Sequence, residues 1–278
     1  MMPRVRMVSY LEKNNKRYRK PNEDFLALSA DKRFAAVADG CTRTRIDGIY
    51  PAISAQIASQ CFCELAVSAY EDGVHDLKAI FRHGNHGIRI ENEKLGIIDP
   101  YELIGCVAVA GYFHNFHPDI FYYAYIGDCG ILIYDRDLFP VFLSRNQLRT
   151  LELFRDRWGL DSEERMALWR NEMRNKPCKE RRLTHGGLTG EKNALHYGHS
   201  GYRIVEPGDT VLLFTDGILP FVFDMTFRRI IQKCLLLAVR DIALVMAPYI
   251  KNRIPKLAKE GEKNLDDDKA FVAFSYDE

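Results

Sequence analysis

Residues 206–217 read EPGDTVLLFTDG, and this stretch decides how the rest of the chain is interpreted. A Pro-Gly turn signal is followed by an apolar, β-rich run from Thr210 to Thr215, and the run stops at Asp216. The pattern predicts a buried strand that ends in a carboxylate and a tight turn. One Asp-Gly turn after a strand is ordinary, so its meaning depends on whether the arrangement recurs.

Carboxylates recur at other boundaries between an apolar run and a turn. VADG carries Asp39, IGDC carries Asp128, DDDKAFVAF carries Asp267, and NED places Glu23 and Asp24 at the mouth of a strand. Strand ends from distant parts of a chain can converge on one edge of a sandwich, where carboxylates repel one another unless a cation neutralises them. Oxygen ligands suit hard cations such as Mg²⁺, Mn²⁺ and Ca²⁺. The recurrence therefore predicts a hard-cation site.

Alternation and turn signals define the remaining elements. Strands are expected over 5–10, 24–28, 33–38, 104–113, 120–126, 130–134, 140–143, 202–205, 210–215 and 270–276. Helices are expected after Pro51, over about 74–95, over 148–176, and twice within about 226–256. This order lacks regular βαβ alternation and predicts an α+β fold with antiparallel sheets and external helices.

The domain organisation is expected to be simple. Strand-like runs occur near both ends of the 278 residues and no repeat or low-complexity linker interrupts them, so residues 1–278 should form a single domain. The one interruption is a predicted flap or insert at about 145–200. Its second part, 177–200, is rich in glycine and is expected to be mobile.

Composition excludes several classes of function. Lys and Arg total 39 against 38 for Asp and Glu, a balance that argues against a nucleic-acid partner. No apolar run approaches the ~20 residues of a membrane helix, and the first fifteen residues lack the apolar core of a secretory signal. The seven cysteines contain no CxxC pair and are expected to be reduced thiols in a cytoplasmic protein. Oligomeric state is left open.

The order of the motifs resembles the metal-dependent protein phosphatases of type 2C, in particular bacterial-like members. An arginine precedes the Glu-Asp pair by four residues, and VADG, a glycine-led strand, GDC, PGD…TDG and a closing Asp-Asp follow in the family's order. The residues that carry this resemblance are Arg19, Glu23, Asp24, Asp39, Gly40, Gly105, Asp128, Asp216, Asp267 and Asp268. The resemblance spans nearly the whole chain and implies a four-layer α-β-β-α sandwich with two central, mostly antiparallel sheets.

The resemblance also implies the ligands of two Mn²⁺ or Mg²⁺ ions and of a third, weaker ion. Asp39 would bridge the two ions and the Gly40 carbonyl would bind the first of them. Asp216 and Asp267 would bind the second ion. Asp128 would help to hold the third.

The same resemblance assigns the residues around the ions. Glu23 and Asp24 would hold metal-bound waters or support the ligands from outside. Arg19 would bind the substrate phosphate, since a guanidinium can pair with two oxygens at once. Arg43, in the loop after the Asp39 turn, is a second candidate for the phosphate, although an exposed loop arginine without such a role is the ordinary alternative.

The implied activity is hydrolysis of phosphoserine and phosphothreonine in proteins, with a water between the two ions attacking phosphorus directly. Cys41 stands where animal members carry a histidine after Asp-Gly, which leaves the general acid open. His185 and His196, in the predicted flap, are candidates for that proton donor.

Three alternatives stay open at this point. The chain would be a catalytically inactive phosphatase-like binding or regulatory module if the change at Cys41 removes activity. It would be a small-metabolite phosphatase if the same fold takes another substrate. A haloacid-dehalogenase-type phosphatase needs Asp-x-Asp after an apolar strand. Asp266 and Asp268 have that spacing, but their strand follows them.

Overall fold

The computed structural model describes residues 4–13, 21–41, 54–149, 173–176, 184–262 and 265–277. Its strands are β1 Val5–Glu12, β2 Asp24–Leu28, β3 Phe34–Gly40, β4 Cys106–Phe113, β5 Ile120–Ile126, β6 Gly130–Tyr134, β7 Pro140–Leu143, β8 His199–Ile204, β9 Thr210–Phe214 and β10 Lys269–Tyr276. Its α-helices are α1 Ser54–Glu71, α2 Leu77–Lys94, α3 Met225–Leu236 and α4 Ala243–Lys259.

The ten described strands form two antiparallel sheets of five. One sheet has the order β1-β10-β9-β6-β7, and the other has the order β2-β3-β4-β5-β8. Every neighbouring pair runs antiparallel. Strands β1 and β10, from opposite ends of the chain, pair over their whole length, which closes the domain.

Three hydrophobic cores separate the layers. The central core, which includes Val37, Val109 and Phe274, lies between the two sheets. The core around Phe62 packs α1 and α2 on the β2-β3-β4-β5-β8 sheet, and the core around Phe227 packs α3 and α4 on the other sheet. The prediction of an α-β-β-α sandwich is therefore confirmed.

Helix α2 is slightly shorter than the sequence pattern predicts. The helix begins at Leu77 rather than near Val74, because Asp76 caps it and its carboxylate accepts the Lys78 N–H at 3.0 Å. Gly84 does not interrupt the helix. A Cβ there would lie 2.5 Å from the Phe62 ring, so glycine allows α1 and α2 to approach closely.

Residues 184–200, expected to belong to a mobile flap, pack against the domain. Leu188 is buried and forms a two-bond bridge with Cys106 at the start of β4. Strand β8 begins at His199, earlier than expected, and pairs with β5. Residues 150–172 and 177–183 lie outside the described residues, so the insert at about 145–200 and the helix over 148–176 stay predictions.

Among the described helices, none has both the length and the apolar character that crossing a lipid bilayer requires.

Candidate metal centre

The two sheets meet at one edge through a hydrogen bond between side chains. Asp24 at the start of β2 lies directly opposite Asp39 near the end of β3. The Asp24 side chain is buried and accepts the Thr215 hydroxyl at 2.7 Å. Thr215 follows β9 of the other sheet and directly precedes Asp216. The bond therefore fixes the Asp24 carboxylate of one sheet against the end of β9 in the other sheet, where Asp216 follows.

The loop before β10 approaches the same edge. The Asp268 carboxylate accepts the Glu23 N–H at 2.7 Å, and the Asp267 carboxylate accepts the Asp268 N–H at 3.0 Å. Lys269 is buried, and its ammonium group donates to the carbonyls of Leu265 at 2.9 Å and Asp267 at 2.6 Å. These bonds hold Asp267 beside the start of β2.

Charge effects relate five aspartates at this edge to one another. Burial raises the pKa of Asp39 well above its usual range, and four further carboxylates raise it more. These carboxylates, in decreasing order of effect, belong to Asp24, Asp216, Asp267 and Asp128. We call Asp24, Asp39, Asp128, Asp216 and Asp267 the acidic edge.

Asp24 shows the same conflict between burial and charge. Burial is the largest cause that raises the pKa of Asp24, and the Thr215 hydroxyl opposes it by stabilising the ionised form. The carboxylates of Asp268 and Asp267 raise the pKa again, whereas a hydrogen bond with Asp39 lowers it.

Gly40 provides a place where no side chain fits. A Cβ there would lie 2.8 Å from the Glu23 carbonyl oxygen and would collide with the Ala55 carbonyl. The Gly40 N–H donates to the Glu23 carbonyl at 3.0 Å, and the Ser59 hydroxyl donates to that carbonyl at 2.7 Å. Glu23 therefore supports the turn after β3 through its backbone.

The acidic edge fits a hard divalent cation in its chemistry. Its donors are oxygens, and their mutual repulsion is the kind that a bound cation relieves. Within the described residues, no three His, Cys, Asp or Glu side chains are already close enough to form a ligand cluster. Hydrogen bonds and mutual charge effects relate the aspartates of this edge to one another. The individual ligand assignments of Asp39, Gly40, Asp216, Asp267, Asp128, Glu23 and Asp24 remain predictions.

Several expected participants lie elsewhere or outside the described residues. Arg19 and Arg43 both lie outside them. His185 is buried, and its backbone forms an isolated β-bridge with that of Arg174. His196 is exposed on a short 3₁₀ helix. The Cys41 N–H donates to the Gly105 carbonyl at 2.9 Å, which continues the pairing of β3 with β4.

Sequence reasoning missed two residues that shape the edge. Thr215 was recognised only as part of a strand, although its place directly before Asp216 was a signal that it could contact the site. The predicted strand over 270–276 excludes Lys269, and nothing in the sequence indicates that its ammonium group turns back onto the preceding loop.

Comparison with known proteins identifies the family. Residues 13–238 match the sequence profile of protein phosphatase 2C, and the chain belongs to this family. A comparison with curated proteins gives no match.

Solved structures share the fold at low sequence identity. The phosphatase PstP/Ppp of Mycobacterium tuberculosis is 19% identical over 99% of both chains, with a TM-score of 0.58. The catalytic domain of PstP in complex with two manganese ions is 18% identical over 100% of both chains, with a TM-score of 0.61. RsbX in complex with magnesium is 14% identical over 98% of this chain and 95% of its own, with a TM-score of 0.53.

Proposed function

We propose that the protein is a Mn²⁺- or Mg²⁺-dependent phosphatase that hydrolyses phosphoserine and phosphothreonine in proteins. One observation carries the proposal. Five aspartates from distant positions approach one edge of the two-sheet sandwich, and burial together with the charges of the other four raises the pKa of Asp39. Such an arrangement is unfavourable on its own and becomes favourable when divalent cations bind.

The related structures support the choice of cation. PstP is described with two manganese ions and RsbX with magnesium, and both share this fold. We assign the two ions of this chain to Asp39, the Gly40 carbonyl, Asp216 and Asp267. A third, weaker ion is assigned to Asp128.

The ions, when bound, supply an activated water and offset charge on the phosphate oxygens. The chain's own residues orient this chemistry. Thr215 holds the Asp24 carboxylate, and Lys269 holds the loop that carries Asp267. We assign Arg19, and with it Arg43, to binding the phosphate, because a guanidinium can donate two parallel hydrogen bonds to phosphate oxygens.

Partners and compartment follow from weaker indications. The near-neutral net charge of +1 argues against nucleic acid as a partner, and the proposed activity requires a phosphorylated protein as substrate. The six cysteines within the described residues are all free thiols, which supports a reducing compartment such as the cytoplasm.

Hydrolysis assays test the proposal directly. We expect the protein to hydrolyse p-nitrophenyl phosphate and phosphothreonine peptides with Mn²⁺. We expect its activity to be lost in EDTA and to be insensitive to okadaic acid. Phosphopeptides should be preferred over small phosphorylated metabolites. Activity that survives complete removal of metal would contradict the proposal, and metal binding without turnover would favour an inactive binding module.

A further inference from the structure

Gln147 joins Gly127, the residue before Asp128, to two other segments of the chain. Its side-chain oxygen accepts the Gly127 N–H at 3.1 Å and the Gly186 N–H at 3.3 Å. Its side-chain NH₂ group donates to the Tyr197 carbonyl at 2.8 Å, and its backbone N–H donates to the Gly127 carbonyl at 3.1 Å. Gln147 thus forms hydrogen bonds with both the N–H and the carbonyl of Gly127. It also binds the 184–200 segment at two places, Gly186 and Tyr197.

The contacts place this junction against the acidic edge. Gly127 packs so closely on Val107 that a Cβ at Gly127 would collide with it. Val107 is the direct cross-strand partner of Asp39. Asp128 follows Gly127 immediately, and the next residue, Cys129, is buried in the core between the sheets. Asp128 is therefore held between a residue fixed by Gln147 and a residue fixed by the core.

The chemistry of the junction suits a primary amide. Two N–H groups must find one acceptor, and a carbonyl must find a donor, on the same side chain. An amide offers both, whereas a carboxylate cannot donate and an apolar side chain offers neither. A flipped amide would direct its NH₂ group at two N–H donors, so the partners fix the orientation of Gln147.

We propose that Gln147 is a positioning residue that sets the place of the Asp128 carboxylate and thereby the affinity of the weakest cation site, and that it couples this site to residues 186–197. The inference rests on the proposed function for the identity of the cation. The coupling to residues 186–197 depends only on the hydrogen bonds that the structure contains. Residues that orient metal ligands typically change affinity about 10–100-fold when they are removed.

A Mn²⁺ titration by calorimetry tests the proposal. We expect Gln147→Ala to weaken the weakest Mn²⁺ site at least about tenfold and the tighter sites less than about twofold. In a background of Asp128→Ala, the same change should cause no further loss. Gln232→Ala is the matched control, because the Gln232 amide also donates to a backbone carbonyl, that of Arg136 at 3.0 Å, in a contact remote from the acidic edge. An unchanged weakest site in Gln147→Ala would overturn the proposal.

Hydrogen exchange gives a readout that does not depend on metal or turnover. The amides of Gly127 and Gly186 should both exchange faster in metal-free Gln147→Ala than in the wild type. Gln147→Glu keeps the acceptor and should retain protection at Gly127. Unchanged exchange at both amides in Gln147→Ala would overturn the coupling.

The outcomes separate this inference from the proposed function. Mn²⁺ binding that depends on Gln147 in a protein without hydrolytic activity would support the inference and contradict the function. Mn²⁺-dependent hydrolysis with metal binding indifferent to Gln147 would leave the function and remove the inference. A wild type that binds no Mn²⁺ would remove both.

Discussion

Strand β9 connects two ends of the sandwich that differ in their side chains: one end carries carboxylates and the other carries packed aromatic rings. At its C-terminal end, Thr215 hydrogen-bonds Asp24 within the acidic edge. Near its N-terminal end, Gly208 donates to the Tyr276 carbonyl, and Tyr276 belongs to a group of packed rings. We call this group, Phe113, Phe121, Phe274 and Tyr276, the aromatic end. Its ring centroids are 5.0–6.1 Å apart in the pairs that touch.

The two ends of the sandwich contribute to stability with opposite signs. The aromatic end buries large apolar surfaces and adds favourable ring contacts. The acidic edge confines carboxylates that repel one another, which costs stability until a cation binds. Stability and chemistry are thus separated along the same strands, and substitutions at the two ends should have opposite signatures.

The largest expected effect is on turnover at the acidic edge. Asp39→Asn should reduce kcat at least about a thousandfold, because metal ions contribute several kcal/mol to the transition state. The metal-free variant should nevertheless unfold at a higher temperature than the wild type at pH 7, since a repelling charge is removed. Parallel kinetics and thermal unfolding in EDTA measure both.

Asp209→Asn is the matched control for that variant. Asp209 is a buried aspartate at the aromatic end of β9, where its carboxylate accepts the Glu206 N–H at 3.0 Å. It should retain wild-type kcat. Equal losses in both variants would erase the distinction between the two ends.

The next effect is on stability at the aromatic end. Phe113 is fully buried, so Phe113→Ala should cost about 3–5 kcal/mol in the free energy of unfolding. Its kcat at low temperature should change less than about twofold. Phe116 is 83% exposed three residues away, and Phe116→Ala should stay within about 0.5 kcal/mol. Urea unfolding measures the stability of both variants. A Phe113→Ala variant that is folded but inactive would contradict the separation of stability at the aromatic end from catalysis at the acidic edge.

The third effect concerns pH. Because Asp39 and Asp24 have folded-state pKa values raised above the ordinary 3.8, they favour the fold below that value. This contribution is lost as the pH rises through the raised values. In EDTA, the difference in unfolding free energy between Asp39→Asn and wild type should therefore increase with pH above about 4, and Mn²⁺ should reverse its sign. A difference independent of pH would contradict the raised pKa of Asp39.

The smallest effect compares two threonines at opposite ends of β9, Thr210 at its start and Thr215 directly after it. Thr215→Val removes the hydroxyl that serves Asp24 and that accepts the Ala270 N–H at 3.0 Å, and it should cost about 1–3 kcal/mol. The buried Thr210 hydroxyl forms no hydrogen bond with any described residue, so Thr210→Val should be neutral or stabilising. Equal costs in urea unfolding would refute the contrast.

Much of the fold was predictable because local patterns and final structure agree. The run from Asp24 to Leu28 was predicted with its observed bounds, and turn pairs such as Asp-Gly marked strand ends that carry the acidic edge. Strand β8 was placed too late, because His199 and Gly201 have little β propensity and are ordered by pairing with β5.

The convergence of the aspartates was predictable from their places at strand ends, but the residues that hold them were not. Gln147 follows a strand and reads as an ordinary polar loop residue, since its side-chain partners lie 20, 39 and 50 positions away in sequence. Thr215 contacts Asp24 across 191 positions. Neither hydrophobic periodicity nor turn rules predict contacts between residues so far apart in the sequence.

Diffraction from crystals grown with Mn²⁺, collected at a wavelength where manganese scatters anomalously, tests the metal centre most directly. We predict two manganese peaks bridged by Asp39, one beside the Gly40 carbonyl and one beside Asp216 and Asp267, at the roughly 2.0–2.6 Å typical of hard cations and oxygen. Carboxylates of Asp39, Asp216 and Asp267 with no manganese between them would contradict it.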